Sequence, residues 1–209
     1  MKSYTIQKNK QTGFSLVELV VSLAILALVG TAVGLFERDL FSFDFIAQDN
    51  MNTQLDGRHI IKIMVGALRE AEPSANGAYP IALASSSVLT FYSDPNNDGN
   101  PDQVRYFVSG TSLMQGIISP TGSPLGYTGA EKVSTVVSGL TNTASSTAPL
   151  FQYYDENYAG TSSPLTQPVN PQSIRLIKIT FVINKDPNKI KQATTVTSQV
   201  EVRNLKANL

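Results

Sequence analysis

The stretch that decides the fold is Gly13-Phe14-Ser15-Leu16-Val17-Glu18, followed by an apolar run that continues to residue 36. The thirteen residues that end at Gly13 carry three lysines and no acidic residue. Within residues 16–36 the single ionisable side chain is that of Glu18. At ~1.5 Å per helical residue, about 20 residues cover roughly 30 Å, the thickness of a bilayer core. The sequence therefore predicts a membrane-spanning helix with one carboxylate near its start.

An ordinary secretory signal peptide is one alternative for this N-terminus. Such a peptide has an apolar region of ~7–15 residues that ends in a small-residue cleavage site. Here the apolar run is longer, and Gly13 precedes it. A plain signal-anchor, in which Glu18 is an incidental interface residue, is the second alternative. Because lysines lie before the span and mixed charges follow at Glu37, Arg38 and Asp39, we expect a cytoplasmic N-terminus and an extracytoplasmic remainder.

The quoted string resembles the class III signal of type IV pilins and type II secretion pseudopilins. The resemblance implies that a prepilin peptidase removes the leader, residues 1–13, by cleaving between Gly13 and Phe14, and then N-methylates Phe14. It implies a single-pass protein of the inner (cytoplasmic) membrane that becomes filament-associated after assembly. Its implied partners are other pilin or pseudopilin subunits and an inner-membrane assembly platform.

Glu18 is the fifth residue of the implied mature chain, and the resemblance places it beside the Phe14 amine of a neighbouring subunit. The physical chemistry of the span points the same way, because a carboxylate without a partner is costly in a low dielectric. A partner ammonium makes the charge tolerable only when subunits stack. We therefore expect Glu18 to set the register of assembly.

Composition excludes several classes of function. The chain has 209 residues with 16 basic and 16 acidic side chains, and loss of the three leader lysines leaves 13 basic residues and a net charge of −3. No basic patch indicates nucleic-acid binding. Cysteine is absent and His59 is the single histidine, so Ser-His-Asp and Cys-His sites have no plausible members. The sequence does not predict an enzyme.

The expected fold is α+β and pilin-like: a long N-terminal helix packed on an antiparallel β head. The transmembrane part is residues 14–36, the helix continues into the head over residues 37–72, and Pro73 stops it. An apolar stripe at three- and four-residue steps predicts the face that packs on the sheet. Its members are Ile60, Met64, Ala67, Leu68 and Ala71.

Strands are expected in the head, residues 73–209. Residues 87–92 and 103–108 flank a polar turn and predict an antiparallel hairpin, and residues 113–118 add a third strand. A final pair places alternate residues 177–183 on one face and alternate residues 194–202 on one face of the next strand, with a turn at 186–188. A helix on such a sheet defines the α+β class.

Residues 116–173 are rich in Gly, Ser, Thr and Pro, and they predict an irregular region with short strands at most and one apolar island at 150–154. This region is either a partner-facing surface or simple surface filling. An aromatic and acidic cluster within it either binds a sugar or a protein partner or is an ordinary packed loop. The cluster consists of Tyr153, Tyr154, Asp155, Glu156 and Tyr158.

A softer resemblance concerns residues 67–71, the hairpin 91–108 and residues 202–204, which look like J-type pseudopilins and PilW-type minor pilins. It implies a minor pilin or pseudopilin and leaves open which of the two filaments the chain joins. The alternative from another class is a filament-tip adhesin or a substrate-binding module.

The turn between the hairpin strands carries the best candidate for a metal site. Asp94, Asn96, Asp98 and Asp102 occupy relative positions 1, 3, 5 and 9 of a calcium loop, with Gly at position 6. Position 12 departs from the pattern because Arg105 replaces the bidentate Glu, and two prolines restrict the backbone. The alternative is a solvated hairpin turn, since Asp, Asn, Gly and Pro are the usual turn formers. No cofactor is required by the sequence, and calcium is the one candidate.

Overall fold

A computed structural model describes residues 13–143, 148–184 and 193–202. The leader before Gly13 and the turn expected at 186–188 lie outside these ranges. The chain divides into two compact units, Met1–Gln48 and Asp49–Leu209. The first unit contains the apolar helical stretch, and the second contains the head.

The helix α1 is assigned over Leu16–Arg69. It ends four residues before Pro73, and the first residues beyond it turn tightly, with the N–H of Ala71 donating to the carbonyl of Leu68 at 3.3 Å. The N–H of Glu72 then donates to the carbonyl of Tyr92 at 3.0 Å. This bond joins the segment that leaves the helix to the sheet.

The described part of the head contains eight strands. They are β1 (Ile81–Ala84), β2 (Val88–Ser93), β3 (Asp102–Ser109), β4 (Ser112–Ile118), β5 (Lys132–Ser138), β6 (Phe151–Tyr154), β7 (Leu176–Ile183) and β8 (Thr194–Glu201), with a 3-10 turn at Pro171–Ser173 before β7. The first five form an antiparallel sheet in the order β1-β2-β3-β4-β5, and the last three form an antiparallel sheet in the order β6-β7-β8.

Residues 139–142 connect the two sheets. The N–H of Thr141 donates to the carbonyl of Val182 at 2.8 Å, and the N–H of Asn184 donates to the carbonyl of Gly139 at 2.7 Å. Leu140 thereby forms a bridge with Ile183 at the end of β7. The segment after β5 thus extends the first sheet into the second.

The core lies between the last turns of α1 and both sheets. The helix contributes Ile61, Met64, Val65 and Leu68, all buried, and Ala71 follows just beyond its end. From the sheets come Leu89, Phe91, Val104, Tyr106, Ile177, Ile179, Phe181, Ile183, Val196, Val200 and Val202. At Gly57 the helix backbone lies close to β8, and an added Cβ there would lie 3.0 Å from Cγ2 of Val196. The α+β class, the hairpin, the third strand and the final pair are confirmed.

Two elements differ from the expectation. β1 was not predicted, and the region 116–173 contains the seven-residue strand β5 as well as the short β6. Both β1 and β5 lie at sheet edges, and their buried positions do not alternate along the strand, so their sequences lack the period-2 pattern that identifies a strand. The expected single sheet is also divided into two.

Candidate functional site

The start of α1 contains the residues that the sequence assigns to processing. Gly13 and Phe14 precede the helix, and the Phe14 side chain is 78% exposed. Helical structure begins at Leu16, two residues after the expected cleavage point. Gly13 and Phe14 therefore both lie in non-helical, exposed backbone.

Ser15 caps this helix. The N–H of Glu18 donates to Oγ of Ser15 at 3.2 Å, which satisfies one of the backbone donors that every helix start leaves without a partner. Ser15 and Glu18 have the spacing of a capping box, in which the acidic residue lies in the first turn where the helix dipole favours negative charge. The sequence interpretation missed Ser15, although the Ser-x-x-Glu spacing is a signal that identifies it.

Glu18 thus has a structural role beside its predicted assembly role. Its backbone N–H is held by Ser15, and its backbone carbonyl accepts a hydrogen bond from Oγ of Ser22 at 2.7 Å. Both bonds use the main chain, so they fix the position of Glu18 without occupying its carboxylate.

The stretch Leu16–Arg38 is long and apolar enough to cross a membrane. Its hydropathy is 2.6, and none of it is buried inside the structure. Its hydroxyl groups are satisfied locally, as Oγ1 of Thr31 donates to the carbonyl of Ala27 at 2.7 Å. A continuous helix with satisfied backbone and hydroxyl groups meets the requirement for a lipid-exposed segment.

The comparison with protein families agrees with this geometry. Residues 8–34 match the prokaryotic N-terminal methylation motif, and comparison with curated proteins returns no match. The match contains Gly13, Phe14, Ser15 and Glu18. The chain therefore carries the N-terminal signature of type IV pilins and pseudopilins, on a single apolar helix that fits a membrane-anchored protein. The signature implies processing by a prepilin peptidase and assembly with other pilin subunits, and it favours a structural subunit over an enzyme.

The acidic turn between β2 and β3 brings three of the four predicted calcium ligands together. The carboxylate of Asp94 accepts from the N–H of Asp98 at 3.1 Å and from the N–H of Gly99 at 2.8 Å. Nδ2 of Asn96 donates to Oδ2 of Asp98 at 2.9 Å. Asn97 and Gly99 adopt positive φ values of 54° and 84°, a left-handed conformation that Asn and Gly tolerate best.

Asp102 is separate from the turn and lies at the start of β3. It is 3% exposed, and its Oδ1 has no hydrogen-bond partner among the described residues. Burial raises the pKa of Asp102, and the charges of Asp98 and Asp94 raise it further, while a hydrogen bond with Ser119 acts in the opposite direction. Ser93, its pairing partner on β2, is fully buried and also has an unpartnered Oγ among the described residues.

Tyr127 adjoins this part of the head and was not identified from the sequence. Its hydroxyl donates to the carbonyl of Pro101 at 2.6 Å and accepts from the N–H of Ala75 at 2.9 Å. Its ring lies 5.0 Å from that of Tyr92, measured between centroids. Burial raises the pKa of Tyr127, and charge at Asp102 adds to the shift.

Arg105, at position 12 of the calcium pattern, points away from the turn. Asp102 and Arg105 are three residues apart on β3, so their side chains lie on opposite faces. The guanidinium binds Glu131 through two bonds, Nε to Oε1 at 2.8 Å and Nη2 to Oε2 at 2.6 Å, and it lowers the pKa of Glu131. The Arg105 charge is therefore neutralised on the other side of the sheet.

The aromatic and acidic cluster of residues 153–158 is divided between core and surface. Tyr153 is fully buried and its hydroxyl donates to the carbonyl of Ser85 at 2.8 Å. The Tyr154 ring is buried against the ring of Tyr158, with centroids 4.2 Å apart. Asp155 accepts the N–H of Asn157 at 3.0 Å in a local turn, and Glu156 is exposed. His59 is exposed on α1.

Proposed function

We propose that this protein is a minor pilin or pseudopilin, a structural subunit that a prepilin peptidase processes and that joins a type IV pilus or a type II secretion pseudopilus. The observation that carries the proposal is the coincidence of the methylation motif with a capped, fully exposed apolar helix beginning three residues after Gly13. The assignment to a minor subunit is supported by the resemblance of residues 67–71, 91–108 and 202–204 to J-type and PilW-type proteins.

In this proposal the protein is held in the inner membrane with its N-terminus in the cytoplasm and its head outside. Cleavage after Gly13 frees the Phe14 amine, and transfer of one methyl group to it from a methyl donor leaves a secondary amine that is still an ammonium near neutral pH. Leaving the bilayer exposes about 20 apolar residues to water, so helices of other subunits must replace the lipid. A subunit that finds no such helices remains in the membrane.

Glu18 determines the register in which the helices of neighbouring subunits pack. Its carboxylate, positioned by Ser15 and Ser22 through the main chain, pairs with the Phe14 ammonium of a neighbouring subunit. In a low dielectric such a pair is much stronger than in water, and an unpaired carboxylate is strongly penalised. Helices that pack out of register therefore leave Glu18 without a partner, and this penalty selects one register.

The proposal is tested by replacing Glu18 in the cells that make the filament and measuring the chain in the sheared filament fraction and in the membrane. We expect Glu18→Ala to be cleaved normally and retained in the membrane, with filament incorporation reduced at least about tenfold, because a loss of ~1.4 kcal/mol already changes an equilibrium by that factor. Glu37→Ala, the same change at the far end of the span, is the matched control and should incorporate like the wild type. Equal incorporation of both variants would contradict the proposed role of Glu18.

A filament-tip adhesin or substrate-binding module is the second candidate. One observation favours it: a polar pocket in the head lined by Asp155, Glu156, Asn157, Gln172, Ser173 and Arg175. Point variants are needed to test it, because Leu140, Leu150 and Phe151 belong to the core and a deletion that includes them would destabilise the whole head. The double variant Glu156→Ala and Asn157→Ala leaves the core intact. An adhesin should lose binding to host or substrate preparations in this variant while filaments still incorporate it.

A further inference from the structure

The buried polar group that the assembly function does not use is Asp102. Buried carboxylate oxygens in proteins are almost always hydrogen-bonded, and an unmatched one costs free energy comparable to the lost bond or more. Oδ1 of Asp102 and Oγ of the adjacent Ser93 both lack a partner among the described residues, although both residues are buried. The ionised carboxylate of Asp102 can only accept, so its buried Oδ1 favours a cation or a donating group at this position.

The acidic turn lies next to this pair. Ser93 and Asp102 pair across β2 and β3 and close the turn that contains Asp94 and Asp98, so the buried carboxylate lies at the base of the turn. Like charges at short range destabilise one another, and a cation placed among them reverses the sign of the interaction.

We propose that the turn after β2 and the buried Asp102 together bind one calcium ion. The protein ligands are the side chains of Asp94, Asn96, Asp98 and Asp102, with the backbone carbonyl of Asn100 at the position that a calcium loop uses for a main-chain oxygen. All of these donors are oxygens, which suit a hard cation and not zinc or copper. Calcium fits better than magnesium, because a flexible loop of carboxylates and carbonyls accommodates 6–8 ligands at about 2.3–2.6 Å.

The hydrogen bonds already present prepare the turn for this role. Each oxygen of Asp94 accepts one backbone N–H, which orients the carboxylate and leaves further lone pairs for a cation. Among the described residues no three acidic or histidine side chains yet converge on one point. Binding therefore requires Asp98 to reorient, which breaks its bonds with Nδ2 of Asn96 and with the N–H of Asn100.

Arg105 does not oppose the cation. At position 12 it replaces the Glu of a complete calcium loop, but its charge is paired with Glu131 on the opposite face of β3. The chain therefore lacks one bidentate ligand without placing a positive charge in the site. The loss of this ligand predicts weak affinity, at ~10⁻⁴–10⁻³ M as in extracellular calcium modules.

Tyrosine fluorescence provides a local measurement of binding. The chain has no tryptophan, so tyrosine emission is visible. The Tyr127 hydroxyl is bonded to the carbonyl of Pro101, and its ring lies beside that of Tyr92, so it contacts the chain near both ends of the proposed site. In the full chain held in detergent and freed of metal by a chelator, calcium should produce a saturable change in emission with a 1:1 stoichiometry by calorimetry. Magnesium should require at least a tenfold higher concentration.

Matched variants decide between this site and nonspecific binding. Asp98→Asn keeps the size and the turn and should weaken calcium binding at least tenfold, while Asp102→Asn should abolish it. Asp155→Asn removes the same charge from a similar Asx turn elsewhere and should leave the titration unchanged. If Asp102→Asn does not fold, the exposed Asp98→Asn still tests the site. The proposal is overturned by no saturable response up to about 10 mM calcium, ten times the weakest expected constant, by equal effects of Asp98→Asn and Asp155→Asn, or by equal affinity for magnesium.

Discussion

Leu26 and Leu68 lie on the same helix, yet the Leu26 side chain is 68% exposed and that of Leu68 is fully buried. Around Leu68 the helix packs on two sheets of its own chain, and its apolar face is covered by residues such as Phe91 and Phe181. Around Leu26 every large apolar side chain of residues 16–36 is exposed. One helix thus has two kinds of apolar surface. One is buried by the rest of the chain, and the other needs lipid or the helices of other subunits to cover it.

Truncation of the two leucines is the most severe test of this difference. Leu68→Ala removes buried methyl groups and leaves a cavity, so we expect the free energy of unfolding of the head to fall by about 2–5 kcal/mol. Leu26→Ala removes the same atoms from an exposed position and should change head stability by less than about 0.5 kcal/mol. Denaturant unfolding of the full chain in detergent, followed by tyrosine fluorescence, measures both.

The same pair also separates stability from assembly. Leu26→Ala should reduce filament incorporation although the head remains folded, because its partner is outside the chain. If Leu26→Ala destabilised the head as much as Leu68→Ala does, the division of the helix into two environments would be wrong.

Alkaline pH should lower the stability of the head and leave the helix of residues 16–36 unchanged. Burial raises the pKa of Tyr106 to about 12, despite the hydrogen bond from Gln115, and raises that of Tyr153 well above its usual value. A buried neutral tyrosine contributes its full stability below pH ~10, where the unfolded chain is also protonated, and this contribution is lost as pH rises towards the folded pKa. For Tyr106 alone the loss is about 1.4 kcal/mol between about pH 9 and about pH 11.

Residues 16–36 contain no tyrosine, so their helical signal should persist when the head unfolds at high pH. Circular dichroism in detergent across this range measures both parts, and Tyr106→Phe should flatten the decline. A Tyr106→Phe variant whose stability falls as steeply as that of the wild type between these pH values would rule out this origin of the pH dependence.

Elements with strong periodicity could be predicted from the sequence, and elements at edges could not. The alternation Ile177, Ile179, Phe181 and Ile183 predicts an interior strand, and all four residues are buried in β7. In β5, by contrast, Lys132–Ser138 is mostly exposed, and its Ser and Thr residues are also common in loops. The connection between the two sheets of the head depends on the pairing of residues 139–142 with the end of β7, a long-range contact that local sequence does not encode.

The candidate sites show the same limit. Gly13, Phe14 and Glu18 could be identified from a short local motif, and the cap at Ser15 could have been predicted from the Ser-x-x-Glu spacing in the same motif. The role of Asp102 is different, because its burial beside Ser93 depends on the register of β2 against β3. The pairing of Arg105 with Glu131 across Gly116 also joins residues that are distant in sequence.

The central claim is that the apolar start of this chain is made for processing and assembly, and mass spectrometry of the N-terminus tests it most directly. The chain should be purified from the membrane and from sheared filaments of the cells that produce it, and its N-terminal peptide sequenced. The account predicts that the peptide begins at Phe14, one methyl group heavier than the unmodified residue, in both fractions. A chain that retains Met1, or that is cleaved after the apolar run, would contradict it.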